Sequence, residues 1–278
     1  MSAAEGVRDT LREGVIAIAR EAGAAIMAVY GGDVAVRAKA DDSPVTAADL
    51  AAHRCILDGL SRLTPDIPVL SEESAHTVPL QLRRGWSRFW LVDPLDGTRE
   101  FLKGNGEFTV NIALVDDGVP VFGVIQAPVT GAVWHGAPGQ GACRRDGDVE
   151  RAIATRRPAA APLRVAASRS HLDARTAAML GRIGRHESIG LGSSLKFCLL
   201  AEGGMDAYPR LGPTSEWDTA AGQAILEAAG GCVLDLRGRP FRYNQRDTVL
   251  NGDFVALGDP GLPWREWVQD PFAMDFRG

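Results

Sequence analysis

Apolar spacing changes in kind along this chain, from a helical stripe to hairpin-linked strands to an alternation of both. That order restricts the folds open to it. Val7, Leu11, Val15, Ile18, Ala22, Ile26 and Val29 recur at three- and four-residue steps, which predicts a helix over 7–30, ended by Gly31-Gly32. A short strand is expected at Val34 to Val36 and a loop from Lys39 to Ser43. Thr46 followed by Asp49 matches a capping box and opens a second helix, Thr46 to Leu63, which Pro65 and Pro68 close. Ile67 to Leu70 reads as a strand running into Ser71-Glu72-Glu73, and Arg83 to Trp86 as loop. Phe89-Trp90-Leu91-Val92 is a buried strand stopping at Asp93-Pro94. Phe108 to Val115 and Val119 to Gln126 form a hairpin about Asp116-Asp117-Gly118, with a further strand at Thr130 to His135. Two helices followed by such strands imply an antiparallel sheet packed on helices.

Arg151 to Pro162 shifts in composition, and a boundary is expected there, dividing the chain into 1–155 and 156–278. Beyond it the elements alternate: strand Leu163 to Ala167, helix Asp173 to Ile183, strand His186 to Ile189, helix Ser194 to Glu202, strand Met205 to Tyr208, helix Thr219 to Ala229 and strand Cys232 to Asp235. This half reads as α/β with a largely parallel sheet.

Composition excludes several classes. A formal net charge of −5 is not the basic footprint of a nucleic-acid binder. No apolar run approaches the roughly 18 residues that span a bilayer, and the first residues lack a secretory pattern, so a cytoplasmic protein is expected. Cys55, Cys143, Cys198 and Cys232 form no CxxC pair, and the histidines form no HExxH. GxSxG and Walker patterns are missing too.

Chemistry concentrates in carboxylates at the ends of elements. Glu72 follows one strand, Asp93 ends another, Asp96 lies three residues on, and Asp218 stands at a helix start. Two carboxylates about 4 Å apart repel by roughly 4 kcal/mol at an effective dielectric of about 20. If these groups converge they need protons or cations. An oxygen-only donor set suits a hard ion, with magnesium the commonest in phosphate chemistry. Gly97 allows close backbone approach, and a short helix starting near Thr98 would aim amides at phosphate oxygens. The Thr98 hydroxyl could orient an attacking water, with Asp49 taking its proton. Each residue alone also has a plain structural reading: Asp96-Gly97 as a turn, Asp49 as a helix cap, Asp218 as an N-cap, Glu72-Glu73 as a solvated loop.

Asp93-Pro94-Leu95-Asp96-Gly97-Thr98, preceded by Ser71-Glu72-Glu73-Ser74 and followed by Trp217-Asp218-Thr219-Ala220-Ala221-Gly222, resembles the lithium-sensitive, magnesium-dependent inositol monophosphatase-like superfamily. The resemblance runs from about Val34 to Phe254. It implies an α/β fold of alternating layers, α-β-α-β-α, with metals between the halves. It implies Glu72, Asp93, the carbonyl of Leu95, Asp96 and Asp218 as ligands of two or three Mg2+ ions, and Thr98 with Asp49 as the water-activating pair. Lithium inhibition is expected with it.

Within the superfamily, Ser43-Pro44-Val45-Thr46-Ala47-Ala48-Asp49, Ser168-Arg169-Ser170-His171 and Gly192-Ser193-Ser194-Leu195-Lys196 are most similar to the bacterial 3'(2'),5'-bisphosphate nucleotidases. The implied reaction converts adenosine 3',5'-bisphosphate to AMP and phosphate in sulfur metabolism, with the activated sulfate donor as a related substrate. Substrate contacts would come from Glu72, Leu95, Asp96, Gly97, Thr98, His171, Ser193, Ser194, Lys196, Arg210 and Asp218. Ser193, Ser194 and Lys196 open a helix, a suitable phosphate site. Arg210 lies a short way before Asp218, a region where inositol phosphatases tend to carry a glutamate, and a guanidinium there suits a second phosphate. The alternatives are an inositol or sugar-phosphate phosphatase with the same metals, and a catalytically silent nucleotide-binding regulatory protein. Some relatives associate peripherally with the cytoplasmic face of the inner membrane, but no anchor is readable here. The sequence fixes no oligomeric state.

Overall fold

A computed structural model describes residues 3–32, 36–38, 44–168 and 174–268. The first helix, α1 (Ala3–Met27), starts earlier and ends sooner than its apolar stripe suggested. It packs beside α2 (Ala47–Leu63). Between them β1 (Val36–Ala38) and β2 (Pro44–Thr46) pair antiparallel. The expected strand overlaps β1 only at Val36, and the expected loop at 39–43 lies outside the described residues.

A seven-stranded sheet follows in simple spatial order: β3 (Val69–Ser71), β4 (Arg88–Asp96), β5 (Thr109–Asp116), β6 (Val119–Gln126), β7 (Val133–Ala137), β8 (Gly141–Asp146) and β9 (Val149–Ile153). All neighbours run antiparallel except β3 and β4, which run parallel. Two short helices interrupt the order. α3 (Leu80–Arg84) covers part of the segment expected as loop, and α4 (Thr98–Lys103) follows the Asp-Gly turn.

The second sheet has five strands in the order β11-β10-β12-β14-β13. They are β10 (Leu163–Ser168), β11 (His186–Leu191), β12 (Ala207–Arg210), β13 (Cys232–Asp235) and β14 (Phe254–Leu257). α5 (Ala174–Arg182), α6 (Leu195–Ala201), α7 (Glu216–Ala228) and α8 (Trp264–Trp267) complete the chain. The expectation of a largely parallel sheet is corrected. β10 runs parallel to β11 and β12, but β14 inserts between β12 and β13 and opposes both.

Three apolar cores define the layers. One joins α1 and α2 to one face of the large sheet, through Ile16, Ile26, Ile56, Trp90, Ile112 and Val124. A central core packs α6 and α7 between both sheets, with Phe89, Ile125, Phe197, Ile225 and Phe254. A third sets Met179, Leu180, Trp264 and Trp267 under the small sheet. The succession is helices, sheet, helices, sheet, helices, the layered α-β-α-β-α arrangement. Glycine permits the tightest central contacts: a Cβ on Gly123 of β6 would come within 2.5 Å of the Ala221 carbonyl of α7. No helix among the described residues is long and apolar enough to cross a membrane.

Candidate active site

β4 does not stop at Asp93. It continues to Asp96 through a register shift, Asp93 opposing Asn111 and Asp96 opposing Thr109. Three steps on β4 thus match two on β5, a bulge of one residue. Without it, residues three apart would face opposite sides of the sheet. With it, Asp93 and Asp96 face the same side. Glu72 joins them from the end of β3, its amide bonded to the Val92 carbonyl at 3.0 Å.

Asp218 arrives from the other half on α7. It is not the N-cap expected. Ser215 caps the helix, and Asp218 is the third helical residue of a capping box, its Oδ2 accepting the Ser215 amide at 2.8 Å. The buried carboxyl lies close enough to Asp96 and Glu72 to feel their charges.

The electrostatics show how crowded these groups are. Burial, then the charges of Glu72, Asp96 and Asp218, push the Asp93 carboxyl well above the carboxylate range. Asp218 is raised by burial, Asp96 and Glu72. Asp96 is raised to about 6 by burial, against the opposing pull of Lys196 and the Ser194 amide. These crowded carboxyls, with the Leu95 carbonyl in the turn between two of them, form an oxygen-only donor set. A hard divalent cation fits it; a thiophilic one has no partner there.

Asp49 has both roles that the sequence left open. Its Oδ2 accepts the Thr46 amide at 2.7 Å and the Thr46 hydroxyl at 2.6 Å, closing the α2 capping box. Its Oδ1 accepts the Thr98 hydroxyl at 3.2 Å, while the Leu95 carbonyl stands 3.4 Å from that hydroxyl. Asp49 is buried, and three donors hold it as an acceptor. Gly97 has φ +95°, and a Cβ there would approach the Glu107 carbonyl to 3.0 Å and the Ser193 Cβ to 3.3 Å. The turn therefore needs glycine.

The expected phosphate donors at the start of α6 are arranged differently. The Ser194 amide donates to Asp96 Oδ2 at 2.6 Å, and its hydroxyl donates to Asn111 Oδ1 at 2.7 Å. Ser194 thus orients Asp96 instead of offering free donors. The Lys196 ammonium is buried, bonded to the Leu191 and Ser193 carbonyls at 3.1 and 2.6 Å and lying 5.1 Å over the Tyr208 ring. It is not a solvated surface charge. Burial lowers its pKa to about 8, with Asp96 pulling the other way. Ser193 takes φ +47° in the same turn. Arg210 donates to the Pro213 carbonyl at 3.0 Å, and its Nε is buried without an acceptor among the described residues. His171 lies outside the described residues.

The sequence reading missed Thr109, Asn111 and Glu107. Asn111 Nδ2 lies 3.4 Å from Asp96 Oδ2, and the Thr109 and Ser194 hydroxyls are 2.7 Å apart. Glu107 Oε2 accepts the Gly192 amide at 2.7 Å and fixes the start of the turn before α6. The available signal was polar residues at alternate positions of an otherwise apolar strand, Thr109 and Asn111 on β5.

Comparison with known proteins shows the family. The sequence pattern of the inositol monophosphatase family matches residues 7–258. A 3'(2'),5'-bisphosphate nucleotidase CysQ of Escherichia coli K12 is 52% identical over 242 residues, covering 86% of this chain and 96% of that protein. Among solved structures, CysQ from Bacteroides thetaiotaomicron, described as a bacterial member of the inositol monophosphatase family, superposes with TM-score 0.77 at 40% identity. That match covers 88% of this chain and 96% of the other. An inositol monophosphatase from Zymomonas mobilis superposes with TM-score 0.76 at 28% identity, over 96% and 98% of the two chains.

Proposed function

We propose, from the premise that this chain belongs to the inositol monophosphatase family, that it is a 3'(2'),5'-bisphosphate nucleotidase acting in sulfur metabolism. The reaction removes the 3'-phosphate of adenosine 3',5'-bisphosphate and leaves AMP and inorganic phosphate. The observation that carries the reading is the meeting of Glu72, Asp93, Asp96 and Asp218 beside the Thr98–Asp49 pair.

Glu72, Asp93, the Leu95 carbonyl, Asp96 and Asp218 would hold magnesium, in two or three positions. When bound, the ions supply positive charge that stabilises the attacking and leaving oxygens of an in-line displacement. The chain's own part centres on Thr98. Its Oγ1 accepts a hydrogen bond from the attacking water and takes a proton from it, passing its own proton to Asp49 Oδ1. The water oxygen bonds to phosphorus as the bond to the 3' oxygen breaks, and that oxygen leaves with its electron pair and takes a proton from solvent. Ser194 and Asn111 keep Asp96 turned into the site throughout.

Two cations favour a doubly phosphorylated substrate over an inositol ester. Lys196 adds a buried positive charge beside Asp96, and Arg210 presents a buried N–H that lacks an acceptor among the described residues. A phosphate oxygen would satisfy that donor. We assign residues 1–155 and 156–278 as the two halves that meet at this site.

The test is Asp93→Asn, which keeps shape and removes charge. Turnover should fall by at least about 10²-fold at saturating magnesium, as for loss of a group that stabilises transition-state charge. Activity near that of the unaltered protein would remove Asp93 from the metal set.

A further inference from the structure

The outer strands of the large sheet carry a second group of ligand-type side chains, remote in sequence from the carboxylates above. In register, His135 on β7 opposes Cys143 on β8, and Arg145, two residues along, opposes Glu150 on β9. Period-two geometry puts all of them on one face. That face looks toward α1, because Arg145 reaches Glu13 at 2.7 and 2.9 Å. A ring nitrogen of His135, the Cys143 sulfur and a Glu150 oxygen lie within 4.8 Å of one another. A cavity of about 440 Å³ opens beside them, lined by His135 and Cys143 with Arg12 of α1 across it.

We propose that His135, Cys143 and Glu150 form a second metal site, for a borderline divalent cation of the zinc class. Nitrogen, thiolate and carboxylate donors suit zinc; magnesium takes oxygen. Three protein donors leave one position, and the cavity supplies room for water or an exogenous ligand there. β-pairing holds the backbones of all three donors, so loading requires only side-chain adjustment. Glu150 Oε2 now accepts from His135 Nε2 at 2.9 Å and from Arg145 Nε and Nη2 at 2.9 and 2.5 Å. Among the described residues these bonds all reach Oε2, leaving Oε1 for the cation. A metal-bound imidazole carries its one proton on the ring nitrogen that is not a ligand. Loading then releases one proton, from the Cys143 thiol.

The neighbouring cations do not bar the site. Arg145 is matched by Glu13 and Glu150, and Arg12 by Asp9 at 3.2 Å and Glu13 at 3.2 Å. A metal here would tie β7, β8 and β9 into one unit against α1, away from Asp93 and Asp96.

The test uses the whole protein, stripped with chelator and returned to saturating magnesium so that the oxygen sites are filled. Cobalt(II) is then titrated and read by absorption, because a thiolate–cobalt charge-transfer band cannot arise from the catalytic carboxylates. One equivalent should give that band with tetrahedral d–d bands, and zinc should bleach both. Cys143→Ala and His135→Gln should each lose the charge-transfer band while magnesium-dependent phosphate release and circular dichroism stay unchanged. Cys143→Ser serves if the alanine variant misfolds. Absence of the band in the unaltered protein, or its survival in Cys143→Ala, overturns the site. Neither result bears on phosphate release, so this inference and the proposed function fail separately.

Discussion

Asp96 concentrates the conflict that makes the site reactive. Its carboxyl, raised to about 6, sits among raised neighbours and is steadied by the Ser194 amide and Lys196. A pH prediction follows from the sign of that shift. The folded, metal-free protein keeps a proton on Asp96 that the unfolded chain has lost, between the ordinary value of 3.8 and about 6. Stability therefore falls as pH rises through that window and stays lowered above it. Asp93 and Asp218, raised further in the same direction, extend the loss to higher pH. In chelator, the melting temperature should fall as pH rises from about 4 to about 6 and go on falling above that, magnesium should reverse the fall, and Asp96→Asn should lessen it over the lower part of the range. A melting temperature that rises over the same range in chelator would contradict the crowding. At this scale the clustered carboxylates were readable because each stands in a compact motif at the end of an element. The residues that orient them were not: Ser194 looked like a phosphate donor, and nothing local in Asn111 says that a β-bulge will bring Asp96 to it.

At the scale of elements, the bulge in β4 and the left-handed turn at Gly97 place two carboxylates on one face and start α4 at Thr98. Gly97→Ala should destabilise by about 1–2 kcal/mol from its backbone conformation alone, plus the contact with the Glu107 carbonyl. Gly104→Ala is the control: φ is +69°, but nothing lies within 4 Å of the added Cβ. Urea unfolding should rank Gly97→Ala as the more damaging, with the larger loss of turnover. Equal losses in both would deny the close approach at Gly97. Apolar strands and long helices were legible from spacing. β8 and β9 were not, since Cys143-Arg144-Arg145-Asp146 and Val149-Glu150-Arg151 are charged sequences; on β9, the edge strand, that charge disfavours pairing with another chain. The start of α7 was misplaced because Asp218 was read as the cap, although Ser215 three residues earlier completes the capping-box signal. β14 escaped as a run of only four residues, and with it the antiparallel half of the small sheet.

Across the whole molecule, the site exists only if the two sheets keep their relation. α7 lies between them, and a polar strut ties its start to the large-sheet half. Arg83 of α3 bonds Asn244 at 2.6 Å and the Arg246 and Asp247 carbonyls at 3.0 and 2.6 Å. The Asn244 amide and Arg246 in turn reach the buried Glu216 carboxylate at 2.7 and 3.0 Å. Glu216 stands two residues before Asp218. Glu216→Ala should cost about 1–3 kcal/mol, since it leaves the buried Asn244 amide without its acceptor, while Arg246 keeps only Asn251. The fall in the denaturation midpoint is the check, and a change under about 0.5 kcal/mol, the range of ordinary surface positions, would make the strut incidental. The Arg83 ties join partners more than a hundred residues apart, so no local pattern announces them.

The most direct measurement is phosphate release from adenosine 3',5'-bisphosphate and from inositol 1-phosphate, side by side, with magnesium and with chelator. Release from the nucleotide should be strongly preferred and should vanish in chelator. Preference for the inositol ester, or release that persists without metal, would contradict the account.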